Sequence, residues 1–132
     1  DLALTGGGAT VAVIDSQVDL HPEFGDRLRR TRPGTADFHG THVAGTVAAA
    51  GNNPDLKGIA PAAKLVTTSF RTIPEGVEAI RNAKALEGAD LATNSWTAVA
   101  SEAVGTCNLM GTYTTFDRDV DRVVVAERLP VI

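Results

Sequence analysis

A carboxylate and two imidazoles draw attention because each lies at the boundary of a predicted secondary-structure element. Asp15 directly follows the apolar run 11–14, and His39 and His42 open a segment rich in alanine and valine. A carboxylate beside an imidazole can carry out general acid–base chemistry, and the same side chains are also metal ligands. The residue types therefore leave open a proton-transfer pair, a metal site formed by all three, and a purely structural role for Asp15 in a turn.

The elements that would position these side chains alternate between strand and helix. Short apolar runs predict strands at residues 10–14, 64–70 and 89–93, with a further strand opening at Pro130. Helical spacing predicts helices at residues 39–50, 74–88 and 116–127. The intervening segment 16–38 holds prolines and glycines and is predicted to be loop. This alternation predicts an α/β fold, a doubly wound and mainly parallel sheet with flanking helices.

Chemistry in such sheets gathers at the edge where the strands end. Asp15 ends the first predicted strand, and Asn94-Ser95-Trp96 follow the third. The glycines at 6–8 do not indicate a dinucleotide site and an oxidoreductase, because glycines of that kind follow the strand and these precede it.

Three motifs, in order, resemble the subtilase family of serine proteases. The first covers residues 11–24 (VAVIDSQVDLHPEF) and is similar to the strand that ends in the family's triad aspartate. The second covers residues 39–46 (HGTHVAGT), matches the family's histidine motif residue for residue, and is followed by GIAP at 58–61. The third comprises residues 88–90 (GAD) and 94–96 (NSW), similar to the strand that lines the family's substrate cleft.

The resemblance implies peptide-bond hydrolysis by an Asp-His-Ser triad, with His39 as general base and Asp15 as the acid that orients it. A neutral imidazole accepts the serine proton, and the aspartate fixes its tautomer and stabilises the imidazolium. A helix N-terminus disfavours the protonated ring, so a carboxylate must offset it. We therefore expect Asp15 within about 2.6–3.5 Å of the His39 ring. His42 is expected to be structural.

The resemblance also implies binding residues. Ser95, Trp96 and Thr97 would pair their backbone with an extended peptide or protein substrate, although Trp96 suits a plain core position nearly as well. Glu23 and Asn52 match positions that bind calcium in many family members, and both offer oxygen ligands. A structural calcium ion is thus an expectation, while the reaction itself requires no cofactor.

Two substitutions and the length depart from the family's pattern. Gln17 and Thr97 each replace a usual glycine, and Gln17 is expected to distort the turn at Asp15. The family's serine motif and oxyanion asparagine are absent. Residues 1–132 are therefore expected to be an incomplete, N-terminal part of a catalytic domain whose partner is the missing C-terminal half. Val131 and Ile132 should then be exposed.

Cys107, in Gly105-Thr106-Cys107, lies too early to be the nucleophile.

Composition limits the remaining classes of function. The net charge of −4 and the acidic pI argue against nucleic-acid or anionic-membrane binding, and no apolar run has the length of a membrane span. The arginines at 27, 29, 30 and 32 are expected to lie in a solvated loop. The resemblance implies a secreted or extracellular protein, although no signal peptide begins at Asp1. Two rivals stay open, a protease-derived binding module without catalysis and a truncated fragment without function.

Overall fold

Strands and helices alternate in the computed structural model, which describes residues 4–96 and 111–132. The strands are β1 (Thr10–Asp15), β2 (Leu28–Arg30), β3 (Lys64–Ser69) and β4 (Leu91–Thr93). The helices are α1 (Phe38–Ala48), α2 (Ile73–Ala85) and α3 (Thr115–Glu127). Two short 3-10 turns lie at Gly25–Arg27 and Pro54–Leu56.

The four strands form one parallel sheet in the order β2-β3-β1-β4. β1 is central, with Thr10 opposite Lys64 of β3 and Val11 opposite Leu91 of β4. Beyond β4, Val131 pairs in parallel with Ala92, so the strand predicted to open at Pro130 is present as a single bridge. The α/β class and the parallel sheet are confirmed.

β2 corrects the prediction that residues 16–38 are all loop. Leu28 pairs with Leu65 and Arg30 with Thr67, along the edge of β3 that β1 leaves open. A three-residue strand carrying two arginines has too short an apolar pattern to be recognised. Its pairing is determined by the neighbouring strand rather than by its own sequence.

The arginines of this region differ in exposure: the side chains of Arg29 and Arg32 are 66% and 42% exposed, as a solvated stretch predicts, whereas Arg27 is partly buried. The Arg27 guanidinium donates hydrogen bonds to the backbone carbonyls of Ala63 and Glu23, at 2.8 and 2.7 Å. Arg29 forms an ion pair with Glu87. Arg27 and Arg29 therefore tie the region of β2 to its surroundings, while most of the Arg29 side chain stays exposed.

Successive residues of β1 point to opposite faces of the sheet, as a strand requires. Val11 and Val13 pack towards α1, in a cluster with Ala44, Ala48 and Leu65. Ala12 and Ile14 pack on the other face, in a cluster whose helical members are Ala79, Ile80, Ala83 and Val123 of α2 and α3. Because Asp15 continues the series of Val11 and Val13, it is directed to the face that α1 covers.

Small residues let α1 approach the end of β1 closely. Gly40 is buried, and a Cβ added there would lie 2.2 Å from the Ser16 carbonyl oxygen. The helix begins at Phe38 and ends at Ala48, slightly earlier at both ends than the predicted 39–50. Gly51, beyond its end, adopts a φ of +83°, which favours glycine.

The exposure expected at the C-terminal residues is found for only one of them. Ile132 is 77% exposed, whereas Val131 is partly buried against the cluster formed with α2 and α3. No helix within residues 4–96 and 111–132 has the length and apolar character needed to cross a membrane.

Candidate active site

Asp15 and His39 meet at the carboxyl edge of the sheet. β1 delivers Asp15 to the face covered by α1, and α1 places His39 in its first turn. The distance from His39 Nδ1 to Asp15 Oδ1 is 2.7 Å, which confirms the predicted contact. The carboxylate is buried, at 4% exposure, while the imidazole is 47% exposed. The pair therefore has one partner fixed in the fold and one that faces an open side.

The Asp15 carboxylate is held by its own turn. Its Oδ1 accepts the Ser16 backbone N–H at 2.7 Å and lies 3.1 Å from the Ser16 hydroxyl. Its Oδ2 is buried and has no hydrogen-bond partner among the described residues. Donors converge on the oxygen that faces His39, so the carboxylate cannot rotate away from the ring without losing them.

The hydrogen bond to Asp15 raises the pKa of His39 above its ordinary value, and the negative charge of Asp15 acts in the same direction. Desolvation of the ring lowers this pKa, and the charge of Asp37 raises it. The sequence predicted that the helix N-terminus would disfavour the imidazolium and that a carboxylate would offset this. The two carboxylates outweigh the desolvation of the ring, so the pKa of His39 is raised.

We expect the His39 imidazole to titrate above pH 6.5, and Asp15→Asn to move its midpoint down. Because the folded pKa is raised, the imidazolium–carboxylate pair contributes stability that is fully present below pH 6.5 and is lost as the pH rises through the folded pKa. NMR titration of the chain's three histidines measures the midpoint. A wild-type midpoint at or below 6.5 would contradict the pairing.

Gln17 does not distort the Asp15 turn, contrary to the prediction. Its φ is not positive, since Arg128 is the one non-glycine residue with positive φ in the described part of the chain. The side chain is buried, and Nε2 donates to the Arg32 carbonyl at 2.6 Å. The Gln17 backbone carbonyl accepts the Asp37 N–H at 2.8 Å. Gln17 thus ties the segment before α1 to the end of β1.

The three predicted substrate-binding residues differ in their surroundings. The Trp96 ring packs between Phe70 and Phe116, with ring centroids 4.8 and 5.3 Å away, so it contributes to the core. Ser95 is exposed at the end of β4. Thr97 lies outside the described residues. A substrate-binding role for the three residues stays a prediction.

Glu23 holds the loop that follows α1. Its Oε2 accepts the backbone N–H groups of Gly51 and Asn52 at 2.7 and 3.0 Å, and its Oε1 accepts that of Asn53 at 2.8 Å. The Asn52 amide donates to the Pro22 carbonyl at 3.3 Å. The carboxylate is therefore largely occupied by donors, which fits a cation poorly. Calcium at Glu23 and Asn52 stays a prediction, and these contacts count against it.

Glu23→Gln is expected to lower the urea-unfolding midpoint at pH 7, because an amide nitrogen would face a backbone donor. The hydrogen bond from Asn53, opposed by burial and supported by those from Asn52 and Gly51, lowers the pKa of Glu23. The contribution of the ionised Glu23 carboxylate to the free energy of unfolding is thus present above pH 4.5 and is lost as the pH falls through the lowered pKa. The difference in urea-unfolding midpoint between the wild type and Glu23→Gln should shrink at low pH. Glu127→Gln serves as the control. If added calcium instead raises the unfolding midpoint of the wild type but not that of Glu23→Gln, a calcium ion binds at Glu23.

The metal alternative for the two histidines is not supported. His42 is exposed on α1, and the described residues contain no group of three His, Cys, Asp or Glu side chains able to hold a metal ion. What the sequence analysis missed is Asp37, which caps α1 by accepting the His39 N–H at 2.9 Å. An aspartate just before a predicted helix is a recognised capping signal.

Comparison with known proteins adds the family. The model of the subtilase family matches residues 6–128. The chain belongs to the subtilase family. Subtilisin Savinase of Lederbergia lenta is 34% identical over 124 residues, which cover 82% of this chain and 46% of the relative. An extracellular serine protease of Serratia marcescens is 36% identical over 80 residues, which cover 52% of this chain and 8% of the relative. This subtilase chain therefore spans less than half the length of these relatives.

Solved structures agree on the fold. The prenylagaramide maturation protease PagA superposes with a TM-score of 0.72 at 24% identity, over 93% of this subtilase and 44% of PagA. The patellamide maturation protease PatA gives the same TM-score at 21% identity, over 97% and 48% of the two chains. At these identities the similarity concerns the arrangement of the sheet and helices.

Proposed function

We propose that this subtilase supplies the acid and the base of a serine endopeptidase. The observation that carries the proposal is the 2.7 Å contact between His39 Nδ1 and the buried Asp15 Oδ1. Membership of the subtilase family supports it. The substrates proposed are peptides or proteins, bound in extended form beside Ser95, Trp96 and Thr97. No cofactor is assigned to the reaction, and a secreted or extracellular location is proposed from the named relatives.

The geometry accounts for the roles of both side chains. With Nδ1–H donating to Asp15, the neutral imidazole has a free lone pair on Nε2, and the side chain as a whole is 47% exposed. Nε2 can then accept the proton of a serine hydroxyl that attacks the scissile carbonyl, and return it to the leaving amine. Asp15 stabilises the imidazolium formed in between, and it keeps its own charge throughout.

The nucleophile is proposed to come from sequence outside these 132 residues. Among the described serines, the Ser16 hydroxyl accepts the Gly40 N–H at 2.9 Å and lies beside Asp15, on the Nδ1 side. Ser69 belongs to β3, and Ser95 follows β4. None of these three opens a helix from a tight turn. The chain's coverage of 46% of Subtilisin Savinase supports an N-terminal part of a longer catalytic domain.

Active-site labelling tests this proposal. We expect the 132-residue chain to give no adduct with a fluorophosphonate probe and no ester hydrolysis above background, because acylation needs a nucleophile and oxyanion donors. The extended chain, meaning these residues continued through the parent sequence to a Gly-Thr-Ser motif, should do both. Stoichiometric labelling of the short chain would overturn the assignment of the nucleophile. An inactive extended chain would favour a protease-derived binding module.

A further inference from the structure

The Asp37 carboxylate contacts two groups in the hydrogen-bond network around His39. Its Oδ1 accepts the His39 backbone N–H at 2.9 Å, and the same oxygen lies 3.1 Å from the Ser16 hydroxyl. That hydroxyl also lies 3.1 Å from Asp15 Oδ1 and accepts the Gly40 N–H at 2.9 Å. Ser16 therefore bridges the two carboxylates that flank the imidazole, one at the end of β1 and one at the start of α1.

This bridge has a single proton to share. A serine hydroxyl donates one hydrogen bond at a time, and its oxygen already accepts the Gly40 N–H. Its proton can therefore bind the Asp15 carboxylate or the Asp37 carboxylate, but not both. With the proton on Asp37, a charge-assisted hydrogen bond joins the start of α1 to Ser16 at the end of β1. With the proton on Asp15, the Gly40 N–H to the Ser16 oxygen is the bond that Ser16 makes to α1.

Asp37 is joined to the same region by its backbone. Its N–H donates to the Gln17 carbonyl at 2.8 Å, and its carbonyl accepts from the Thr41 hydroxyl at 2.8 Å. The residue is thus fixed on both sides of its side chain. A carboxylate held in this way keeps its charge at a constant position relative to the imidazole.

We propose that Asp37 is a positioning residue for His39: its carboxylate holds the His39 N–H at the start of α1 and accepts the Ser16 proton when that proton is not on Asp15, and so keeps Nδ1 on Asp15 and Nε2 away from it. The proposal rests on the proposed function of His39 as general base. Two carboxylates, Asp15 and Asp37, are the charged groups that act on the imidazole, and the charge of Asp37 raises the pKa of His39 in the same direction as that of Asp15.

The test is the Asp37→Asn variant of the full 132-residue chain, followed by NMR of the His39 ring nitrogens across a pH titration. Asparagine keeps an oxygen that can accept the His39 N–H but removes the charge. We expect a folded protein whose His39 midpoint is shifted down and whose ring loses its preference for the Nδ1–H tautomer. Ser16→Ala, which removes the bridge and keeps both carboxylates, should also weaken the tautomer preference.

Asp26→Asn is the matched control, since Asp26 is exposed in the 3-10 turn before β2 and its replacement changes the net charge equally. An unchanged preference for the Nδ1–H tautomer in Asp37→Asn and Ser16→Ala, whatever the shift in midpoint, would reduce Asp37 to a helix cap and overturn the proposal. In the extended chain we expect Asp37→Asn to lower kcat by up to ~100-fold with KM retained. The NMR result stands by itself, so an inactive wild-type extended chain would refute the proposed function and leave the positioning role intact.

Discussion

Asp15→Asn is expected to lower kcat of the extended chain about 10⁴-fold while the fold is retained. Asparagine has the shape of aspartate but offers a neutral amide, which cannot stabilise the imidazolium. It can also present its N–H to Nδ1, which places the ring proton on Nε2 and removes the lone pair that the serine proton needs. The burial of Asp15 strengthens this expectation, because at a site that is 4% exposed solvent cannot stabilise the imidazolium in place of the carboxylate.

Steady-state hydrolysis of a peptide ester by the extended chain measures this effect. Asp26→Asn serves as the control for the change in net charge, and it should retain wild-type kcat. The circular dichroism spectrum and unfolding midpoint of Asp15→Asn show whether the sheet is intact. A loss of less than tenfold in a folded variant would remove Asp15 from the reaction.

Gly40→Ala is expected to lower the free energy of unfolding by about 3 kcal/mol. The added methyl carbon would lie 2.2 Å from the Ser16 carbonyl oxygen, 2.9 Å from its carbon and 3.0 Å from its hydroxyl oxygen. Two of these atoms are backbone, and they immediately follow Asp15. Relief of the overlap therefore requires α1 to move away from the end of β1, which also stretches the contact between His39 and Asp15.

The same helix supplies the control. Gly45 also lies in α1, and a Cβ added there would meet no atom within 4 Å. Gly45→Ala should stabilise the protein by roughly 0.5–1 kcal/mol, because alanine loses less conformational entropy in a helix. Urea unfolding of the two variants compares them directly. If both substitutions stabilise, the close approach of α1 to β1 does not limit the residue at position 40.

The contact between Asp15 and His39 was expected from the resemblance to the subtilase motifs, and the pattern of strands and helices was consistent with it. The apolar run of β1 ends at Asp15, and the small-residue helix begins beside His39. Because parallel strands place their carboxyl ends at one edge, the pattern places Asp15 there, whereas the position of His39 beside it followed from the resemblance. The order of the longer strands and helices was right because each of them carries its own periodic pattern, whereas β2 was missed.

What the sequence did not predict depends on contacts between segments far apart in the chain. β2 exists because β3 offers an open edge, and its three residues show no periodicity. The role of Glu23 is fixed by backbone donors at 51–53, which no local pattern indicates. The expected distortion at Gln17 was wrong because a usual glycine does not by itself prove a positive φ at that position.

The central position of β1 has a consequence for synthesis of the protein on the ribosome. The strand is made before both of its partners, which begin at Lys64 and Leu91. At roughly 5–20 residues per second, the nascent chain carries the unpaired hexapeptide TVAVID for several seconds before either neighbour emerges. Short β-prone segments of low charge aggregate when left without partners. The yield of native protein should therefore rise under conditions that reduce the rate of aggregation more than the rate of translation, as in growth at lower temperature. It should also rise when a chaperone binds the emerging strand.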